Sequence, residues 1–90
     1  MSILWMDIRH VFGENFRRFR TQAGLSQEAV AVRMGVDRAH VSSMERGQQN
    51  VTLSTMWLAA QALGVKPADL LNEDFEVGGD LAEPEGSPPP

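Results

Sequence analysis

The stretch GLSQEAVAVRMGVDRAHVSSMERG, residues 24–47, constrains this chain most, because its punctuation allows only two short helices in quick succession. Gly24 suits the left-handed position that closes a preceding helix, and Ser26 can act as the N-cap of the next, its hydroxyl accepting from a backbone N–H of the first turn. Ala29, Val30 and Met34 then fall on one helical face until Gly35 ends the segment. Asp37 is placed to cap a further helix in which Val41 and Met44 form the buried seam. Arg38, Ala39, Ser42, Ser43 and Arg46 are left on outward faces. Two short helices joined by Gly35, Val36 and Asp37 make a helix-turn-helix.

The residues left outside carry the chemistry. A helix that enters the major groove reads base edges through short or forked polar side chains near its N-terminus, while its flanks touch phosphate. Arg38 can give two parallel hydrogen bonds to guanine O6 and N7. Ala39 is small enough to let the helix approach and touch a thymine methyl, and Ser42 and Ser43 add small polar contacts. Gln27, in the first turn of the preceding helix, can point its amide and that helix's N-terminal N–H groups at a phosphate. His40, Arg46 and Asn50 are the other candidates for backbone contact.

On these residues the chain resembles the lambdoid phage repressor and Cro family, also called the XRE family of bacterial and phage regulators. The resemblance runs from about Phe12 to Leu71 and rests on four blocks in order: RRFR at 17–20, GLSQ at 24–27, MERG at 44–47 and ALGV at 62–65. The run DRAHVSSMERGQQNVTL more narrowly resembles restriction-modification controller proteins, which often carry Arg-Asn before the fourth helix where this chain has Gln49-Asn50. The resemblance implies an all-α, five-helix lambda-repressor-like domain that binds double-stranded DNA as a homodimer on a two-fold operator. It further implies that Arg20 pairs with Glu45, tying the first helix to the end of the recognition helix.

Around this core the periodicity is helical throughout. Trp5, Ile8, Val11, Phe12, Phe16, Phe19 and Ala23 predict a first helix from about Asp7 to Gln22. Thr52 is expected to cap a fourth helix over 53–63, with Leu53, Met56, Ala59, Ala60 and Leu63 inward and Gly64 closing it. Pro67 suits the first position of a short fifth helix that returns Leu70 and Leu71 to the core. Trp57 and Leu58 exceed what the fourth helix's core face needs, so with Phe75 they form the candidate dimer interface.

Ninety residues allow one small domain, here read as 1–77, and oligomerisation would support so small a core. The net charge of −4 argues against a nucleic-acid partner until its distribution is read. Residues 1–46 hold seven arginines against five acids, whereas 47–90 hold one lysine against seven acids. The acid gathers near the C-terminus, where residues 78–90 read as an acidic, Pro/Gly-rich disordered tail. Without cysteine there is no thiolate chemistry and no disulfide framework, and the MSILWM run lacks the features of a signal peptide, so a cytoplasmic protein with no membrane partner is expected. His10 and His40 offer no metal-ligand spacing and no catalytic partner, so neither an enzyme, a metal site nor a cofactor is read from the chain. The alternative to a transcription regulator is an antitoxin or partner-binding module of the same fold that holds a toxin or other protein.

Overall fold

A computed structural model describes residues 7–74. The expectations placed on Trp5, Phe75 and the acidic tail lie outside the described residues. Within them every regular element is helical: α1 (Ile8–Gln22), α2 (Gln27–Met34), α3 (Arg38–Glu45), α4 (Leu53–Leu63) and a 3-10 helix (Pro67–Leu71). No helix among the described residues is long and apolar enough to cross a membrane.

Local chemistry sets most of these boundaries. Ser26 accepts from the Ala29 N–H and Thr52 from the Thr55 N–H, each at 3.0 Å, so α2 and α4 start where a side-chain oxygen satisfies an orphan donor. Asp7 caps α1 by accepting from the Arg9 N–H, and it also pairs with the Arg9 guanidinium at 2.8 Å. Those hydrogen bonds hold the Asp7 carboxyl at about 2, below the ordinary carboxylate range. Asp37 has the extended N-cap backbone at the start of α3 but its carboxylate accepts no capping bond, contrary to expectation. Instead its backbone carbonyl accepts from His40 and Val41.

The core is built from Phe12 and Phe16 of α1, Val30, Ala31 and Met34 of α2, Val41 and Met44 of α3, Ala59, Ala60, Ala62 and Leu63 of α4, and Leu70. Ala31 and Ala62 are buried where Ala29 and Met56 were expected to be, and those two are only half-buried. Ile8, Ala23, Leu53 and Leu71 are corrections of a stronger kind, since all four are exposed. Ile8 and Leu53 begin their helices and Leu71 ends its own. They overhang the core rather than entering it, and together they line a groove with Phe12, Val51 and Met56.

The fifth helix is also corrected, being a single 3-10 segment. Its only deep anchor is Leu70, and Asn15 of α1, itself fully buried, donates through Nδ2 to the carbonyls of Leu70 and Asn72 at 3.1 and 3.0 Å. Those carbonyls are satisfied from α1, so nothing requires another helical turn.

Candidate nucleic-acid interface

The helix-turn-helix forms as its punctuation dictates. Gly35 adopts the left-handed conformation, φ 74°, and Val36 donates back to the Ala31 carbonyl, folding the chain sharply from α2 into α3. Val36 packs half-buried against the core and fixes the turn. With Val41 and Met44 buried beneath it, α3 presents Arg38 and Ala39 as exposed residues and His40, Ser42 and Ser43 as half-buried ones.

Two close approaches set the height of α3 on the domain. A Cβ on Gly13 would lie 2.5 Å from the Met44 carbonyl oxygen and 2.8 Å from that of Glu45, so α1 meets the end of α3 where it has no side chain. A Cβ on Gly47, φ 74°, would strike the His10 ring at 2.4 Å, so the exit from α3 is both left-handed and covered.

Arg20 and Glu45 meet as the resemblance implied. Arg20 Nε and Nη2 donate to Glu45 Oε2 and Oε1 at 2.5 and 3.0 Å, and Nη1 donates to the Leu25 carbonyl at 2.8 Å. The two side chains are 12% and 4% exposed. Gln27 donates through Nε2 to the same Glu45 Oε1 at 3.0 Å, and its Oε1 accepts from Arg38 Nη1 at 3.1 Å. A continuous polar chain thus runs from α1 through the end of α3 to the start of α2 and back to the first residue of α3. Further along, Arg46 donates to Ser42 Oγ and to Gln48 Oε1, while Gln49 Nε2 donates to Ser43 Oγ at 2.9 Å. Asn50 is exposed in the following loop, on the rim of the groove beside Arg9. The candidate dimer residues Trp57 and Leu58 are 55% and 42% exposed on α4, away from this network.

Residues 16–70 match the family described as helix-turn-helix, HTH_3. The chain belongs to that family. It is similar to the HTH-type transcriptional regulator y4dJ of Sinorhizobium fredii, 46% identical over 80% of this chain and 94% of that protein. To the control protein C.SmaI of Serratia marcescens it is 42% identical, covering 78% of this chain and 83% of that one. Its fold is similar to that of the restriction-modification controller C.AhdI of Aeromonas hydrophila, with a TM-score of 0.67 and 44% identity across 69% of this chain and 94% of the other. Membership of the helix-turn-helix family accounts for the α2–turn–α3 geometry.

Gly13 and Asn15 position this family fold and are absent from the sequence reading. A signal for both existed: a mid-helix glycine disfavours helix by about 1 kcal/mol relative to alanine and asks for a packing reason. Asn15 lies between Phe12 and Phe16 on a stripe otherwise apolar, where a buried amide needs partners.

Proposed function

We propose that this protein is a sequence-specific double-stranded DNA-binding transcription regulator, with α3 in the major groove. The observation that carries the reading is the exposed start of α3. Arg38 stands there beside Ala39, held forward by Gln27, above a helix whose depth is fixed by Gly13 and the Arg20–Glu45 pair. Arg38, Ala39, Ser42 and Ser43 are assigned to base edges. The first turn of α2 at Gln27 faces a phosphate with its backbone N–H groups, and His40, Arg46 and Asn50 supply further backbone contacts. The regulator acts as a homodimer on a two-fold operator in the cytoplasm of a bacterial host. The regulator and controller names of its relatives favour this reading over the antitoxin alternative.

The test begins with selection of binding sites from random duplexes, which should return an inverted repeat. On that operator Arg38→Ala should lower discrimination against a scrambled duplex by about 1–3 kcal/mol, the worth of a bidentate base contact, while affinity for the scrambled duplex changes little. An equal loss on both duplexes makes Arg38 a backbone contact.

A further inference from the structure

The groove between α1 and α4 opens onto the core. Its floor is Phe12, a core residue, with Val51 and Met56 packed against that core, and its walls are Ile8, Leu53 and Leu71, each more than a third exposed. An apolar side chain placed there would continue the core rather than rest on its surface. The groove's volume of about 170 Å³ is small beside the roughly 300–1,000 Å³ of a small-molecule site, so it suits one large side chain. The neighbouring groove along α4, at Leu53, Ser54, Trp57 and Leu58, is the more open of the two and suits the face of another helix.

The chain carries such a side chain to this spot. Leu71 is both a wall of the groove and the last residue of the 3-10 helix. Beyond it the path is pinned. Asn15 holds the Asn72 carbonyl at 3.0 Å, and the Asp74 N–H donates to Asn72 Oδ1 at 2.8 Å, closing a turn through the Asn72 side chain. The next residue is Phe75, and four residues of chain place it within about 14 Å of Leu71. Phe75, Glu76 and Val77 alternate apolar, acidic and apolar before Gly78-Gly79. In extended backbone that pattern puts Phe75 and Val77 on one face and Glu76 on the other.

Charge separates this segment from the other end of the chain. Arg9 is the charged residue lining the groove, and its Nε and Nη2 hold Asp7, leaving Nη1 without a hydrogen bond to another described residue. Residues 73–77 bring three carboxylates toward it, whereas residues 1–6, which lead into Ile8, bring none.

We propose that residues 75–77 are a strap for this groove. Phe75 fills it against Phe12 and Met56, and Glu76, on the outward side, meets Arg9 at the rim. The strap lies beyond residues 16–70, which match the family, so it is this chain's own addition to a shared fold. It compensates for the short fifth element, where Leu70 is the one deep anchor. It also backs the recognition helix, because Gln49 lines the same groove and donates to Ser43 Oγ at 2.9 Å. Seated there, Phe75 borders Leu53 and stays contiguous with the exposed face of α4.

Methyl NMR on the full chain tests the strap without requiring a loss of fold. The Met56 and Leu53 methyl resonances should be displaced by the Phe75 ring in wild type, and should lose that displacement in Phe75→Leu, which keeps an apolar side chain. In urea, Phe75→Ala should lower the midpoint. Met56→Ala should then lower it clearly less in the Phe75→Ala background than in wild type, because residues in contact couple and distant ones add. Methyl resonances unchanged in Phe75→Leu overturn the proposal, and so do strictly additive losses in urea. Displacement that survives Phe75→Leu and vanishes in Trp5→Leu gives the groove to the N-terminal segment, and the proposal fails. A mixture of isotope-labelled Phe75→Leu chains with unlabelled wild type decides whose ring is seen. No displacement in the labelled chains is expected, and its return would mean that a second copy supplies Phe75, which overturns a strap within one chain.

Discussion

Asn15 shows how much one polar side chain can organise in a domain this small. Its Nδ2 holds the Leu70 and Asn72 carbonyls and its Oδ1 accepts from Arg18 Nη2 at 2.8 Å. Arg18 in turn lies over the Phe19 ring, 5.3 Å from its centroid. An unpaired buried carbonyl costs about 1–3 kcal/mol. Asn15→Ala should therefore destabilise the fold by an amount in that range, read as a lower midpoint in denaturant at unchanged slope. Because the 3-10 helix is the element released, amide exchange should accelerate around Leu70 before it does in α2 and α3. The Arg20–Glu45 pair illustrates the opposite case. Burying two charges is nearly balanced by their attraction. Its service is geometric, since it fixes where Gln27 and the end of α3 sit.

At the scale of elements, Gly13 decides how closely α1 and α3 pack. In an exposed helix, glycine to alanine gains up to about 1 kcal/mol, so Gly13→Ala would stabilise α1 on propensity alone. Here the new methyl would meet backbone oxygens of Met44 and Glu45 that cannot swing away. The expected net result is a loss of about 1–3 kcal/mol in thermal or denaturant unfolding, together with weaker operator binding as α3 is pushed outward. A rise in stability would show that α3 shifts freely and that its depth is set elsewhere. The boundaries of α1, α2 and α4 were legible in sequence because Asp7, Ser26, Thr52, Gly35 and Gly64 act within one turn of themselves. Ile8, Leu53 and Leu71 were not, because periodicity gives a face without saying how far the neighbouring helices extend over it. The 3-10 segment was half legible: Lys66 is a poor cap, but its termination depends on Asn15, 55 residues from Leu70 in sequence. In the site, the Arg20–Glu45 pair came from resemblance to a family. The Gln27 bridge between Glu45 and Arg38 follows from neither spacing nor composition, since its partners lie 18 and 11 residues away.

The described residues present two surfaces of different chemistry, and the second bears on assembly. Ile8, Leu53, Trp57, Leu58 and Leu71 are each more than a third exposed, and Leu53 is 79% exposed. They line two adjoining grooves, one of about 170 Å³ between α1 and α4 and one along α4 itself. Large apolar residues gathered this way mark an interaction surface, and a symmetric operator asks for two recognition helices about 34 Å apart. A second copy meeting the first through α4 would cover the same patch on both, as a two-fold interface requires. The Trp57→Lys, Leu58→Glu double variant should accordingly remain helical, sediment as a monomer and lose cooperative operator binding. Both side chains already face solvent in the single chain, so the folded monomer should lose little stability. If the variant stays dimeric while deletion of residues 1–6 gives monomers, the contact belongs to the apolar ILWM segment that precedes Asp7.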